Sequence, residues 1–559
     1  MQGGSNEGSS IPLAGSDQPR SLSIEQQARL GTQHGSDSAT TSTSSSDSNL
    51  IRSVNHALNV IGMGRSQWLL LGYTSFAWAA DASETMILSF LGPSVVCAFD
   101  AGPAEESLLT SVVFAGMLVG VYVLGSVSDS HGRRKGFLVS ALLLGAAGVA
   151  SAVAPSFGWL VLCRMMVGAG LGGTPIAVTL FAEWVPSARR GILSLLMQSS
   201  WTIGTAVQSL MAWAILGSLG WRWFLFLSAL PLFVLVIGYP WLPESPYWLV
   251  AKQRYKDAEN IVGKVAEFNK VEPRLHTSFA PAARESYAND STKIVVDDGI
   301  ISSEEESQGA SWTQPVVAVL KSVRYALRQV FGERLARTTG ILWLVWFANA
   351  TTYYGLVLLT TSLQVESEKH KGEQRCHDGE AVFSSSDYFA VFITSLAEAP
   401  GLLGAAFLID YKGRLWCLRI GMLICAICIF CLLIGGRVLQ LVLLFISRAA
   451  IEGTFSVLYV YTPELYPTQI RSFGLALCNG FARLGGFSAP FFTVYLVENG
   501  KSSLSMILLG CLCSIALIGC LLLPIETMGT DLQADHTHDV RNNTHAAEDE
   551  DEDVPLVVH

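Results

Sequence analysis

The sequence predicts an all-α membrane protein of twelve transmembrane helices arranged as two six-helix repeats. Three observations carry that prediction. Of 559 residues, 50% are hydrophobic and only 15% charged, against about 25% charged in a typical soluble domain. Apolar stretches long enough to cross a bilayer, about 20 residues, follow in close succession from Trp68 onward. Seven residues also recur at one fixed offset. Asp129, Gly132, Arg133, Glu183, Pro186, Arg190 and Pro243 are each matched 281 positions later, by Asp410, Gly413, Arg414, Glu464, Pro467, Arg471 and Pro524. An offset held from residue 129 to residue 243 means two copies of one structural unit.

Residues 1–65 are rich in Ser, Gly, Thr and Gln, lack apolar periodicity and read as a disordered tail without a cleavable signal. Six spans are expected near 68–92, 107–128, 136–154, 159–182, 191–216 and 222–242, forming an N-terminal bundle over 66–243. Six more are expected near 338–361, 385–409, 415–434, 439–462, 473–496 and 503–523, forming a C-terminal bundle over 338–524. The 244–337 segment between them is a polar loop, with a helical pattern from Tyr255 to Phe268 and an acidic run at Glu304–Glu306; residues 525–559 form an acidic tail. Arg133, Arg134, Lys135, Arg189 and Arg190 all fall on one side of the first half. By the bias of basic loops toward the cytosol, both termini and the central loop are expected there, although Lys369, Lys371, Arg375, Arg437 and Lys501 fall opposite. Duplicated helical bundles are a recurring architecture of membrane transporters.

The net charge of −10 sits mostly in the tails and the central loop, so no nucleic-acid partner is expected. Eleven Cys show no paired zinc spacing, and most lie inside apolar runs as small hydrophobes, so no metal site is expected. Cys97 and Cys376 fall in outer loops and are candidates for a disulfide. A primary pump would need a phosphate-binding loop of the form Gly-x-x-x-x-Gly-Lys-Ser/Thr, which does not occur. No nucleophile–base constellation supports an enzyme.

Gly125-x-x-x-Asp129-x-x-Gly132-Arg133-Arg134-Lys135 joins the second and third spans. The glycines permit a tight turn, and the carboxylate can pair with arginine or bond helix-end amides. Such a cluster can latch the two halves on the cytosolic side. In its echo at Asp410, Gly413 and Arg414, Ala406 stands where Gly125 would map, so the second latch is expected to be weaker.

These motifs, with Glu183-x-x-Pro186-x-x-x-Arg190-Gly191, Pro243-Glu244-Ser245-Pro246, Pro463-Glu464-Leu465-Tyr466-Pro467 and Arg471, resemble the major facilitator superfamily in its sugar-porter-related branch, over about residues 65–529. The stretches Glu84–Pro93, Glu105–Leu118, Asp129–Leu138 and Gly220–Trp223 are most like plant organic cation/carnitine transporter-like proteins, nicotinate transporters and synaptic-vesicle-2-related proteins. The resemblance implies a state-dependent cytosolic salt-bridge network, carried by Glu183, Arg190, Glu464 and Arg471.

Ionisable residues inside a bilayer are costly, and each is a functional candidate. Asp81 and Glu84 lie three apart on one face of the first span, and Arg164 lies in the fourth. Resemblance to proton-coupled porters implies that an acid of the first span pairs with Arg164; Asp81 takes that role, with Glu84 second. Arg448 and Glu452, at i,i+4 in the tenth span, fit an intrahelical pair or a gate equally. Glu398 stands beside Pro400 and Gly401, where a broken helix would expose it to a cavity.

Arg483, amid glycines in the eleventh span, matches the position where organic-ion carriers of this superfamily place an arginine when they favour anions. Its planar fork suits a carboxylate, unless Glu398 or Glu452 already holds it. Asn479 belongs to the same stretch. Asn349, Tyr353, Tyr354, Gln198, Gln208 and Trp201 are expected to line the same cavity, with aromatic faces suited to a flat ring or quaternary nitrogen.

The expectation is a proton-coupled secondary carrier working by alternating access. Its substrate would be a small organic ion, a nicotinate-like carboxylate or a carnitine- or trigonelline-like zwitterion. The alternatives are a hexose or polyol symporter, an organic cation carrier, and a non-transporting receptor or trafficking protein. Sugar binding is disfavoured because Trp343 and Leu344 stand where hexose porters have paired glutamines. No cofactor is expected, the proton gradient being the energy source. The partners are substrate, protons and the lipid bilayer, with a monomer as the functional unit. The plasma membrane is the expected location, with vacuolar or vesicle membranes as alternatives.

Overall fold

The computed structural model describes residues 54–186, 189–271, 324, 327–370, 376–377, 380–381, 383–467 and 470–528. Apart from one two-residue hairpin, Cys376–His377 against Glu380–Ala381, its regular elements are helices. Among the described residues, ten helices are long and apolar enough to cross a membrane. One of these, Leu196–Trp241, supplies two crossings. It reverses at Gly220 (φ 81°, ψ 173°), a conformation that glycine alone adopts freely. The reversal is proved by Gln208 Nε2 donating to Ser228 Oγ at 2.8 Å, since twenty residues of straight helix would separate them by roughly 30 Å. Arg471–Phe492, which carries Arg483 at mid-length, completes the twelve.

The first half contains Arg65–Phe99, Pro103–His131, Arg133–Ala152, the pair Phe157–Leu171 and Pro175–Ala182, and the two crossings that follow Arg190. The second contains Glu333–His370, the pair Ser385–Leu396 and Glu398–Lys412, Arg414–Cys431, Arg437–Leu465, Arg471–Phe492 and Ser502–Leu522. The fourth and eighth spans are each broken by proline. Pro175 and Pro400 clash with the carbonyls of Leu171 and Leu396, the residues at which the two preceding helices end. The first and seventh spans are the most enclosed, with 72% and 78% of their most apolar windows buried. They therefore stand at the centre of each half, away from lipid.

The tail expected over 1–65 gives way to structure before residue 65. Residues 54–61 are helical, and Val54, Ala57, Leu58 and Ile61 are buried. Tyr247 donates to Asn55 Oδ1 at 2.6 Å. The helical pattern at Tyr255–Phe268 forms as expected. The following residue, Asn269, accepts from the Ser66 amide at 2.9 Å and donates to Gln67 at 2.8 Å, so it caps the first span. The acidic run at 304–306 and the acidic tail beyond 528 lie outside the described residues.

Candidate functional site

At the centre of the bundle lies a cavity lined by Trp78 and Asp81 of the first span, Gln198 and Trp201 of the fifth, and Tyr353 and Tyr354 of the seventh. Glu452, Phe455, Ser456 and Tyr459 of the tenth span and Arg483 of the eleventh complete it. Both halves thus contribute to one chamber. Residues 452, 455, 456 and 459 follow helical spacing, so a single face of the tenth span meets the cavity.

Arg483 is held only lightly. Its Nη1 donates to Met117 Sδ and to the Tyr354 hydroxyl, each at 3.4 Å. Its Nε is buried without a partner, and it makes no ion pair among the described residues. Neither Glu398 nor Glu452 takes it. Glu398 Oε1 instead accepts from Arg448 Nη2 at 2.9 Å and Nε at 3.1 Å, and from the Tyr353 hydroxyl at 2.9 Å, while Oε2 accepts from Thr205 at 3.1 Å. Glu398 is therefore fully enclosed, a knot joining spans five, seven, eight and ten in this conformation, and not a wall of the cavity. The intrahelical pairing of Arg448 with Glu452 gives way to this contact.

The first-span acids divide their roles differently from the order expected. Glu84 Oε2 lies 3.2 Å from Arg164 Nη1, with the two side chains only 2% and 1% exposed. Arg164 Nε also donates to Ser151 at 3.1 Å. Asp81 makes no ion pair among the described residues; its Oδ1 is buried and unpartnered, and it shares the cavity with Arg483. Two helical residues three apart differ by about 60° around the axis. That is enough to turn Glu84 toward the fourth span and Asp81 into the chamber.

Two further cavity candidates are packing groups. Asn349 is fully buried and accepts from Thr454 at 2.8 Å, tying span seven to span ten. Gln208 serves the fifth–sixth reversal described above. Asn479 stands just behind the wall, its amide 3.3 Å from the Tyr459 hydroxyl. Gln198, Tyr353 and Tyr354 do line the chamber, and Trp201 Nε1 donates to the Tyr353 hydroxyl at 2.8 Å.

On the basic side the echoed motifs build two equivalent turns. Gly132 and Gly413 both have positive φ, 107° and 94°. A Cβ there would lie 2.2 Å from a Glu244 oxygen and 2.8 Å from the Glu526 carboxylate. Those carboxylates accept from the first amides of the third and ninth spans. Glu244 Oε1 bonds Arg134 N at 3.1 Å, while Glu526 Oε1 and Oε2 bond Arg414 N at 2.8 Å and Leu415 N at 2.9 Å. Glycine is needed both for the turn and to leave room for the cap. Sequence reading missed both acids as functional groups; the only signal was an acid after each echoed proline.

Arg133 pairs with Asp129 and lies 3.7 Å from Glu183, whereas Arg414 grips Glu464 with two bonds of 3.1 Å. The Asp–Arg contact of the first latch is therefore not repeated in the echo, where Glu464 meets both arms of the Arg414 fork instead. Asp410 is exposed and is not Arg414's partner. Burial pushes the Glu183 carboxyl above the usual range, against the pull of the Ser245 hydroxyl and Arg133. Arg471 has a buried, unpartnered Nε, and the Arg190 side chain lies outside the described residues. Each of these ion pairs lies within one half, not across the two.

Besides the contacts at the chamber, the halves also meet toward the opposite side. Ser107 and Ser111 of the second span donate to the carbonyls of Pro490 and Phe487 at 3.4 and 2.8 Å. Phe90 stacks on Tyr388 at 5.9 Å. Cys97 and Cys376 form a disulfide across the halves, with Cα atoms 5.5 Å apart.

A two-fold repeated bundle with a charged chamber between its halves defines a multi-pass membrane transporter. The chain belongs to the major facilitator superfamily. Residues 69–297 match the family model described as sugar (and other) transporter, and 378–545 match the major facilitator superfamily model. The chain is 36% identical to organic cation/carnitine transporter 7 of Arabidopsis thaliana, covering 87% of this chain and 97% of that one. It is 36% identical to the synaptic vesicle 2-related protein of Rattus norvegicus (86% and 82% covered), and 28% identical to the niacin transporter NiaP of Acinetobacter baylyi (84% and 97%). Among solved structures it resembles the partially occluded inward-open xylose transporter XylE of E. coli, with a TM-score of 0.62 at 18% identity over 83% of this chain and 99% of that one.

Proposed function

We propose that this protein is a proton-coupled secondary carrier for a small organic ion bearing a carboxylate, nicotinate-like monocarboxylates foremost. The observation that carries the reading is Arg483, a cation in the cavity wall with a buried, unpartnered Nε and no ion pair among the described residues. A planar guanidinium in that condition is suited to bidentate capture of a carboxylate. Aromatic walls from Trp78, Trp201, Tyr354 and Phe455 offer faces for a flat ring. The relatives named for niacin and for organic cations and carnitine support the substrate class.

Asp81 is the proton-carrying group of this scheme. An ionised Asp81 in the same chamber repels the substrate carboxylate, and its protonation removes that repulsion and leaves Arg483 to the substrate. Glu84 and Arg164 form the fixed pair beside it. The basic side faces the cytosol, with both termini there. The turns capped by Glu244 and Glu526 carry the gate, alongside the Arg133–Glu183 and Arg414–Glu464 pairs. The protein functions as a monomer in the plasma membrane.

Purified protein in vesicles is to be tested for accumulation of labelled nicotinate, carnitine and glucose, with and without an acid-outside gradient. Nicotinate uptake stimulated by the gradient is expected. Glucose uptake exceeding both organic ions would replace this reading with a sugar symporter, and uptake indifferent to the gradient would remove proton coupling.

A further inference from the structure

The chamber holds three ionisable side chains of opposite sign, Asp81, Glu452 and Arg483, and Glu452 has no part in the scheme above. Its neighbour one turn back, Arg448, directs both Nε and Nη2 to Glu398. Glu452 makes no ion pair among the described residues, yet it faces the cavity. A carboxyl that faces a membrane-embedded chamber, with the arginine one turn away already bound to Glu398, is a functional candidate.

Arg483 donates to the Tyr354 hydroxyl at 3.4 Å, whereas Glu452 lies one turn beyond Arg448, which is bound to Glu398. Among the described residues, the one cation of the chamber wall, Arg483, stands on span eleven, and Glu452 stands on span ten, so two different helices carry the two opposite charges. Around Glu452 stand aromatic rings. Phe455 lies one turn beyond Glu452, 5.8 Å from Tyr353 and 5.6 Å from Tyr459 between ring centroids. A carboxylate flanked by aromatic faces is the combination that recognises a quaternary or protonated nitrogen.

We propose that Glu452 is a specificity-determining residue that receives the cationic end of a zwitterionic substrate whose carboxylate sits on Arg483. This rests on the carrier reading above and extends it from anions to zwitterions with both charges on one small molecule. Glu452 is dispensable for a simple anion, which meets only Arg483.

Nicotinate and its N-methylated zwitterion share the ring and carboxylate and differ by a methyl group and a fixed positive charge. Uptake of both, labelled, is to be measured in vesicles containing wild type, Glu452→Gln or Glu452→Asp. Glu452→Gln is expected to raise the half-saturating concentration of the zwitterion at least tenfold while leaving that of nicotinate within about twofold; Glu452→Asp is expected to recover part of the loss. Retained nicotinate uptake shows that the variant folds. Equal losses for both compounds, or no loss for either, would overturn the assignment while the carrier reading stands. Failure of wild type to move either compound would overturn both.

Discussion

Glu84 and Arg164 form an ion pair at 3.2 Å in the first half, each at most 2% exposed, while Asp81 one turn earlier remains unpaired in the cavity. In the proposed mechanism, structure and transport are thereby separated onto neighbouring acids of one helix. Removing one partner of an enclosed pair leaves an uncompensated charge and costs about 3–5 kcal/mol. Glu84→Ala is therefore expected to lower the melting temperature in detergent sharply. Asp81→Asn is expected to leave melting nearly unchanged while abolishing the response of uptake to external acid. Equal thermal losses in the two variants would contradict this division.

The basic-side turns give a second expectation. Glu526→Ala removes the acceptor for two amides at the start of the ninth span, a cap worth about 1 kcal/mol. Gly413→Ala should cost more, because it combines a positive φ with a Cβ placed in the Glu526 carboxylate. Thermal melting of both variants checks the order; a milder Gly413→Ala would mean that the turn relaxes without strain.

The Cys97–Cys376 bridge joins the two halves. With a protease site inserted between residues 272 and 323, cleaved protein is expected to migrate as one band without reductant and as two with it. Cys97→Ser should give two bands in either condition. Separation of the wild-type halves without reductant would show that the bridge does not form.

Much of the fold was legible in the sequence. Crossing a bilayer demands long apolar helices, and duplication repeats the turn glycines and arginines at a constant offset. The helix at Tyr255–Phe268 was legible for the same kind of reason, an apolar stripe on a polar segment. Partnerships across the fold were not. Asp81 and Glu84 share a helix face, and only the position of the fourth span decides which of them meets Arg164. Glu244 caps a helix 110 residues away. Its counterpart Glu526 is displaced by one place from the repeat offset, so the echo did not reveal it. Asn349 looked like a cavity residue because a polar side chain in a span suggests water or ligand; Thr454 meets its carbonyl oxygen instead, outside the chamber lining.

Arg483 is the centre of the account, and its substitution is the most direct test. Nicotinate uptake under an acid-outside gradient is to be compared in wild type, Arg483→Lys and Arg483→Ala at equal protein in the vesicle. A lysine keeps the charge but loses the planar fork. The account predicts a loss of at least about tenfold for lysine and a larger one for alanine, since a charge-assisted bidentate contact is worth roughly 1.5–3 kcal/mol. Uptake by Arg483→Ala equal to wild type would contradict it.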